Sequence, residues 1–230
     1  MLRVAIVFVA FLAGNVALAQ GSAEPMVAGR AEALAGLTDT RIAHRVEAIV
    51  WFAQNGVASD DVHVFPRLAD DDRLVRGIAE RALWMLWSRS GDAAVDALME
   101  RGLGEVASRD YEAALATYSE VIRRKPGFAE GWNKRATVHF LAGDFARSLA
   151  DCDQVMKRNP RHFGALSGYG QIYFQQQRYD KAIEYWRRAL EANPNLEGLE
   201  ANIDIAERLR AQSRKDQVRL APRLAGGGTT

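Results

Sequence analysis

The stretch from Gly127 to Pro160 reads GFAEGWNKRATVHFLAGDFARSLADCDQVMKRNP, and its pattern recurs on both sides along the chain. Pro126, Pro160 and Pro194 stand 34 residues apart. The segments that lead up to these prolines read in parallel as RDYEAALATYSEVIRRKP, GDFARSLADCDQVMKRNP and QRYDKAIEYWRRALEANP. A fixed period with matched aromatic, small and proline positions identifies an internal repeat. Its three units span 93–126, 127–160 and 161–194.

Small and large side chains alternate at fixed places within each unit. With the closing proline as position 32, position 8 is small, position 17 is aromatic and position 24 is mostly bulky. In chain order the residues are Gly102, Ala136 and Gly170; Tyr111, Phe145 and Tyr179; and Tyr118, Cys152 and Trp186. Small residues let helices approach closely, and large ones fill the space between layers. This pattern resembles the tetratricopeptide repeat, a helix–turn–helix unit. The resemblance implies an all-α, right-handed α-solenoid that binds partners rather than catalyses.

An apolar run, Val4–Ala19, follows Arg3 near the amino terminus. Its end fits the small-x-small rule for cleavage between Ala19 and Gln20. An uncleaved membrane anchor is the alternative, but the run is shorter than the roughly 20 residues that a spanning helix needs. We therefore interpret 1–19 as a signal peptide and 20–37 as a flexible lead-in. The chain then resembles the exported bacterial type of repeat protein, and we expect it in the periplasm or outside the cell.

Without Arg3, the chain has 29 basic and 29 acidic residues and is formally neutral. A neutral protein has no global field that attracts polyanions, so we expect neither nucleic acid nor an anionic membrane surface among its partners. The one cysteine, Cys152, falls at a core position of the second unit. We expect a buried and unreactive thiol there.

Residues 38–92 are predicted to form a helical layer before the repeats. Thr38-Asp39 precedes an apolar stripe that ends at Asn55, and Asp70-Asp71-Asp72 precedes a second stripe that ends near Ser90. The text LADDDRLVRGIAERALWML, residues 68–86, is similar to the second half of a HEAT repeat. In that family Arg76 and Asp70 would tie one layer to the next. We expect this layer to stack on the first repeat unit, with its aromatic residues Trp51, Phe52, Trp84 and Trp87 in the core.

Two segments follow the last repeat. Residues 195–212 alternate apolar and polar side chains at helical spacing, which suits the capping helix that a solenoid requires. From Ser213 the composition turns to Arg, Lys, Pro and Gly, and we expect 213–230 to form a disordered tail.

No sequence motif indicates catalysis. The chain has no nucleophile elbow and no Walker loop, and its four histidines stand without a His or Cys at zinc-ligand spacing. The triplet Asp70-Asp71-Asp72 lacks the other ligands of a calcium loop and is better explained as a helix cap. We therefore expect a protein that is not an enzyme and that needs no cofactor or metal. The alternative is an enzyme or small-molecule binder with its site between the N-terminal layer and the repeats.

The resemblance implies that the first helix of each repeat lines a concave groove that binds a partner protein or peptide. Carried onto this sequence, the groove residues are Met99, Leu103, Val106, Asn133, Lys134, Thr137, Phe140, Gly164, Ser167, Gly168, Gln171 and Phe174. We expect the amides of Asn133 and Gln171 to bond to a partner's backbone. The alternative is that these polar residues form only a hydrated surface.

Two features restrict the partner. A groove that grips an acidic C-terminus needs cations at these positions, and only Lys134 supplies one. That mode of binding is therefore disfavoured. Gly164 and Gly168 each cost a helix about 0.5–1 kcal/mol relative to Ala, which calls for a compensating reason. We expect these two glycines to leave room for the partner, unless the helix begins later than the family pattern suggests.

Overall fold

The computed structural model describes the backbone of residues 27–225 and the side chains of residues 27–215. The predicted signal peptide and its cleavage site lie outside this range. The described chain is an α-solenoid without strands. Its helices are α1 Arg30–Gly36, α2 Ile42–Asn55, α3 Asp61–Val64, α4 Arg73–Ser88, α5 Ala93–Ala107, α6 Tyr111–Arg124, α7 Ala129–Leu141, α8 Phe145–Arg158, α9 Phe163–Gln175, α10 Tyr179–Ala192 and α11 Leu199–Ala225. Two short 3₁₀ segments, Ala58–Asp60 and Phe65–Ala69, flank α3.

The repeats form the expected helix pairs, α5 with α6, α7 with α8 and α9 with α10. Positions 8 and 24 explain how each pair closes. A Cβ atom at Gly102 would lie 2.6 Å from the ring of Tyr118, and one at Gly170 would overlap the indole of Trp186. In the middle unit Cys152 replaces the aromatic residue, so the methyl group of Ala136 fits. A smaller residue at position 8 thus accompanies a larger one at position 24, so the two side chains together fill a similar volume in each unit.

The turn within each repeat has the same backbone conformation. Position 15 has a positive φ in all three units, with values of 61° at Arg109, 80° at Gly143 and 59° at Gln177. This left-handed conformation disfavours residues with a Cβ atom. After each turn the second helix begins, and in the first two units the side chain of Asp110 or Asp144 caps it by accepting a backbone N–H.

The N-terminal layer is larger than predicted. Residues Arg30–Gly36 form α1 within the segment that we expected to be a flexible lead-in. Leu37 and Ala33 are buried against α2, and Arg30 pairs with Asp60, so burial and an ion pair hold this helix. Asp72 caps α4 as predicted, by accepting from the backbone N–H groups of Leu74 and Val75.

The layer does not stack on the first repeat as expected. Instead, Trp84 and Trp87 pack against Phe163 at the start of α9, with ring centroids 5.1 and 4.9 Å apart. Asn195, just before α11, accepts from Arg76 Nε at 3.0 Å and donates to the carbonyl of Leu68 at 2.8 Å. Phe163 is fully buried and belongs to the core of the layer, so the third repeat rather than the first completes that core.

The HEAT resemblance is not tested by this packing and stays a prediction. Asp70 is buried, but its carboxylate accepts from Arg45 at 2.9 Å and from Arg67 at 3.4 Å, within its own layer. Arg76 does bridge to the repeats, through Asn195. Phe52 and Trp87 are buried in the core of the layer, while Trp51 and Trp84 are partly buried at its edge.

The last helix corrects two predicted boundaries. It runs from Leu199 to Ala225, so it begins and ends later than the predicted 195–212, and residues 213–225 are helical rather than disordered. No Gly or Pro interrupts the chain between Leu199 and Pro222. In addition, Arg210 and Arg214 both pair with Asp180 of α10 and hold the helix beyond the predicted end.

The turn conformation predicts that Gly143→Ala lowers the free energy of unfolding by about 1–2 kcal/mol, because Ala is strained at a positive φ. A Cβ atom at Gly143 would meet no atom within 4 Å, so the loss would report the backbone alone. Gly104 of α5 is also surrounded by open space but has an ordinary helical conformation. Gly104→Ala should therefore raise stability by about 0.5–1 kcal/mol. Urea unfolding of both variants measures the difference, and equal changes would contradict this explanation.

Candidate functional site

The inner helices α5, α7 and α9 present the same face at equal spacing. At position 9 this face has Leu103, Thr137 and Gln171, and at position 13 it has Leu141 and Gln175. Leu103 is 40% exposed and Leu141 is 37% exposed. These positions recur at offsets of 34 and lie one turn apart on each helix, so they form one continuous surface. We call it the inner groove.

Four of the other predicted groove residues are mostly packed inside the fold. Met99 is buried in the core of the first repeat, and Val106 packs partly against that core. Phe140 contacts the ring of Phe145, with centroids 5.5 Å apart. Phe174 packs against Tyr179 and against Trp186. These side chains therefore form the base of the groove rather than its open surface.

A buried ion-pair cluster lies where α7 and α9 begin, and it closes the groove at that side. Glu130 of α7 and His162 before α9 are both fully buried. Glu130 Oε2 lies 3.1 Å from His162 Nε2, and His162 Nδ1 accepts from the backbone N–H of Ala165 at 3.0 Å. Because Nδ1 accepts, the proton of the neutral ring sits on Nε2 and is donated to the carboxylate. The ring of Trp87 stacks on the imidazole with a centroid distance of 4.7 Å.

The Glu130 carboxylate also binds two of the predicted groove residues. Lys134 Nζ lies 3.2 Å from Oε1, and Asn133 Nδ2 donates to Oε2 at 3.1 Å. Burial alone would raise the pKa of Glu130, but Lys134 and His162 outweigh it and hold the pKa well below its usual range. The ammonium of Lys134 and the amide N–H of Asn133 are thus already partnered within the chain.

Gly164 does not leave room for a partner, which corrects our expectation. A Cβ atom at Gly164 would overlap the indole of Trp84, so the N-terminal layer already fills that space. Gly168, one turn further along α9, differs. A Cβ atom there would meet only Cys152 Sγ, at 3.8 Å, which is an ordinary contact distance. The N-terminal layer therefore covers position 2 of the third repeat, and the space beside Gly168 would admit a methyl group.

Two polar residues remain in the open part of the groove. Thr137 donates its hydroxyl to the carbonyl of Asn133 at 3.0 Å. The Nε2 atom of Gln171 is buried and has no hydrogen-bond partner among the described residues. A buried amide N–H without an acceptor is costly. The Gln171 side chain must turn outward before this donor can meet a partner's carbonyl oxygen, and such a bond would then satisfy it. The neighbouring Ser167 uses its backbone carbonyl to accept from Trp186 Nε1 at 3.3 Å.

Aromatic rings fill part of the described boundary between the layer and the repeats, where the alternative small-molecule site was expected. Trp84, Trp87, His162 and Phe163 pack ring against ring across it. A cavity of about 490 Å³ lies instead within the layer itself and is lined in part by Arg45, Asp70 and Asp71. The described residues hold no group of three or more His, Cys, Asp or Glu placed to bind a metal ion.

The remaining sequence predictions concern single residues. Cys152 is buried as expected, and burial raises the pKa of its thiol to about 12, which keeps it protonated. His139 is also buried, and burial lowers the pKa of its imidazole. Within 27–225, no helix has both the length and the apolar character needed to span a bilayer.

Gly164 and Gly168 give a matched test of which position the N-terminal layer covers. Gly168→Ala should raise the free energy of unfolding by about 0.5–1 kcal/mol, because the added methyl fits and Ala favours a helix. Gly164→Ala should lower it, because the methyl and the Trp84 ring cannot occupy the same space. Thermal melts followed by circular dichroism distinguish the two. Stabilisation by both substitutions would mean that Trp84 does not cover Gly164.

The buried cluster predicts a graded loss of stability. Glu130→Ala leaves the His162 N–H buried and unpaired, which should cost about 1–3 kcal/mol. Glu130→Gln retains an acceptor and should cost less. Because the pKa of Glu130 falls from 4.5 to about 2 on folding, its ionised form contributes stability above pH 4.5 that is lost toward pH 2. The difference in the free energy of unfolding between wild type and Glu130→Gln should therefore narrow below pH 4.5. Urea unfolding at several pH values measures it, and a difference that stays constant would contradict a stabilising role for the ionised Glu130 carboxylate.

Known proteins share the repeat region. The sequence profile of the tetratricopeptide repeat family matches residues 99–156 and 142–197. A tetratricopeptide repeat-containing protein of Rhizobium etli is 34% identical over 124 residues, which is 54% of this chain and 61% of that protein. Hsp70-Hsp90 organizing protein 3 of Arabidopsis thaliana is 30% identical over 118 residues, 51% of this chain and 21% of that protein.

A solved structure agrees with the fold. The first tetratricopeptide domain of human RPAP3 superimposes with a TM-score of 0.50 at 22% identity, over 53% of this chain and 95% of that domain. With the helix pairs and the 34-residue spacing, these matches identify residues 99–197 of this chain as tetratricopeptide repeats.

Proposed function

We propose that the chain is a non-catalytic interaction module that holds an extended segment of a partner protein in the inner groove. The observation that supports this most strongly is the unpartnered N–H of Gln171 on α9, together with the exposed leucines Leu103 and Leu141 on the other two inner helices. An extended peptide offers backbone carbonyl oxygens for such a donor and side chains for the apolar positions. The protein would then act as a scaffold or assembly factor.

The chemistry of the groove separates this role from the binding of acidic tails. Lys134 is the only cation that we predicted there, and Glu130 already neutralises it at 3.2 Å. Removing Lys134 from Glu130 would leave a buried carboxylate without its main cation, which is costly. An acidic C-terminus would therefore find no available charge at Lys134. The similarity to Hsp70-Hsp90 organizing protein 3 supports an interaction role in general and does not specify the same partner.

The site of action is a second part of the proposal. The apolar run Val4–Ala19 and the cleavage pattern before Gln20 support export to the periplasm or the medium. The mass of the mature protein, purified from cells that produce the full chain, decides this. A mature chain beginning at Gln20 supports export, and a chain that retains Met1 or Leu2 contradicts it.

Gln171→Glu tests the groove directly. The two side chains have nearly the same shape, but Glu replaces the buried donor with an acceptor and repels a partner's carbonyl. We use this residue rather than Asn133, because the Asn133 amide supports Glu130. Binding should weaken roughly tenfold or more, since an unsatisfied buried group costs about 1–3 kcal/mol. Peptides selected from a random phage library, measured by fluorescence anisotropy, serve as the probe.

Gln177→Glu is the matched control, because it makes the same change in charge at an exposed turn outside the groove. It should leave peptide affinity unchanged. If Gln171→Glu binds the selected peptides as tightly as wild type does, the groove is not their binding site. If the library yields no binding peptide, the proposed function fails.

A further inference from the structure

Helix α11 repeats the burial pattern of an inner helix. Its buried residues lie 34 positions after buried residues of α9. The pairs are Ala165 with Leu199, Tyr169 with Ile203, and Ile172 with Ala206. Through these residues α11 packs against α10, as α7 packs against α6 and α9 against α8. It therefore occupies the place of the first helix of a fourth repeat, although we predicted only a cap.

The same register places α11 beside the inner groove. Ile205 and Leu209 lie 34 residues after Gln171 and Gln175, at positions 9 and 13. Between residues 93 and 215, the exposed large hydrophobic side chains are those of Leu103, Leu141 and Leu209, at 40%, 37% and 39%. A single exposed Leu has no special meaning. All three occur at groove positions, however. These exposed leucines form an apolar strip along the inner groove, and the strip continues onto α11.

A cation stands next to this end of the strip. Arg208 is exposed and forms no ion pair with the described side chains. Its neighbours on the helix behave differently, because Arg210 and Arg214 both pair with Asp180 of α10. Lys134, the other cation near the groove, is already paired with Glu130. Of these two cations, Arg208 at the α11 end is thus the one without an ion-pair partner among the described residues.

We propose that α11 forms a fourth wall of the groove and that the bound segment places a carboxylate at Arg208. Apolar side chains of the same segment lie along Leu103, Leu141 and Leu209. This inference rests on the proposed function. The carboxylate is either an Asp or Glu side chain or the segment's own C-terminus. Both present the same anionic oxygens to a guanidinium.

The spacing of the walls limits the pattern of the segment. Packed helices lie about 8–10 Å apart, and an extended chain advances about 3.4 Å per residue. The bound segment should therefore advance by roughly three residues from one wall to the next, with one residue facing each wall. The α9 wall has Gln171 and Gln175 where the others have Leu. We thus expect apolar residues opposite α5, α7 and α11, and a polar step opposite α9.

Three versions of a selected peptide test the charge. One has its acidic groups intact, one has Gln or Asn in place of the acidic residue, and one has an amidated C-terminus. The version that binds less tightly identifies the source of the carboxylate. Arg208→Gln should weaken binding of the intact peptide about two- to fivefold, as expected for an exposed ion pair. It should not change binding of the neutralised version, and high salt should remove the difference.

Two controls separate charge and apolar contact from general damage. Arg210→Gln removes an equal charge two residues away, on the side paired with Asp180, and should leave affinity unchanged. Leu209→Ala should weaken binding roughly tenfold, because the leucine is buried on binding. Leu74→Ala changes an equally apolar residue, 55% exposed in the N-terminal layer, and should have no effect.

The outcomes distinguish this inference from the proposed function. Suppose that Gln171→Glu abolishes binding while Leu209→Ala and Arg208→Gln behave like their controls. The groove then binds peptide, but α11 is only a cap and the inference is wrong. If Gln171→Glu also has no effect, the proposed function fails as well. Loss of binding with Leu209→Ala and a charge effect confined to Arg208 support both.

Discussion

The inner side of this molecule depends on the buried pair of Glu130 and His162. A carboxylate without solvent is stable only when charge and hydrogen bonds compensate it. Here Lys134 supplies the charge, while His162 and Asn133 supply hydrogen bonds at 3.1 Å each. The imidazole is fixed in turn by capping α9 and by stacking on Trp87. One polar cluster thus joins α7, α9 and the N-terminal layer.

This cluster decides which part of the solenoid can bind a partner. The layer covers position 2 of the second and third repeats, where Glu130 is sealed and Trp84 lies against Gly164. At positions 9 and 13 the exposed side chains include those of Leu103, Leu141 and Gln175. A groove so divided favours a partner with apolar side chains and an accessible backbone. Lys134 and Asn133, which an acidic tail would need, instead bind the Glu130 carboxylate.

Local patterns in the sequence were sufficient to predict the repeats. The 34-residue spacing, the small residue at position 8 and the large residue at position 24 act within one unit, so Gly102 and Tyr118 could be paired from their order alone. The Asp72 cap and the burial of Cys152 followed in the same way.

Contacts between distant segments could not be predicted. Trp84 precedes Gly164 by 80 residues, and nothing near Gly164 signals what fills the space above it. Glu130 lies between Ala129 and Gly131, and no local pattern there signals that its carboxylate is buried beside His162. The composition from Ser213 onward predicts a disordered tail, but no Gly or Pro breaks helix α11 before Pro222.

The most direct test of the account is site-specific photo-crosslinking between the full chain and a selected peptide. A photoreactive amino acid is placed in turn at positions 103, 137, 171 and 209 on the inner face, and at exposed positions 177 and 184 outside it. The account predicts crosslinks from the inner positions, each to a different point along one peptide and in the order α5, α7, α9, α11. Crosslinks mainly from positions 177 and 184, or no consistent order along the peptide, would contradict it.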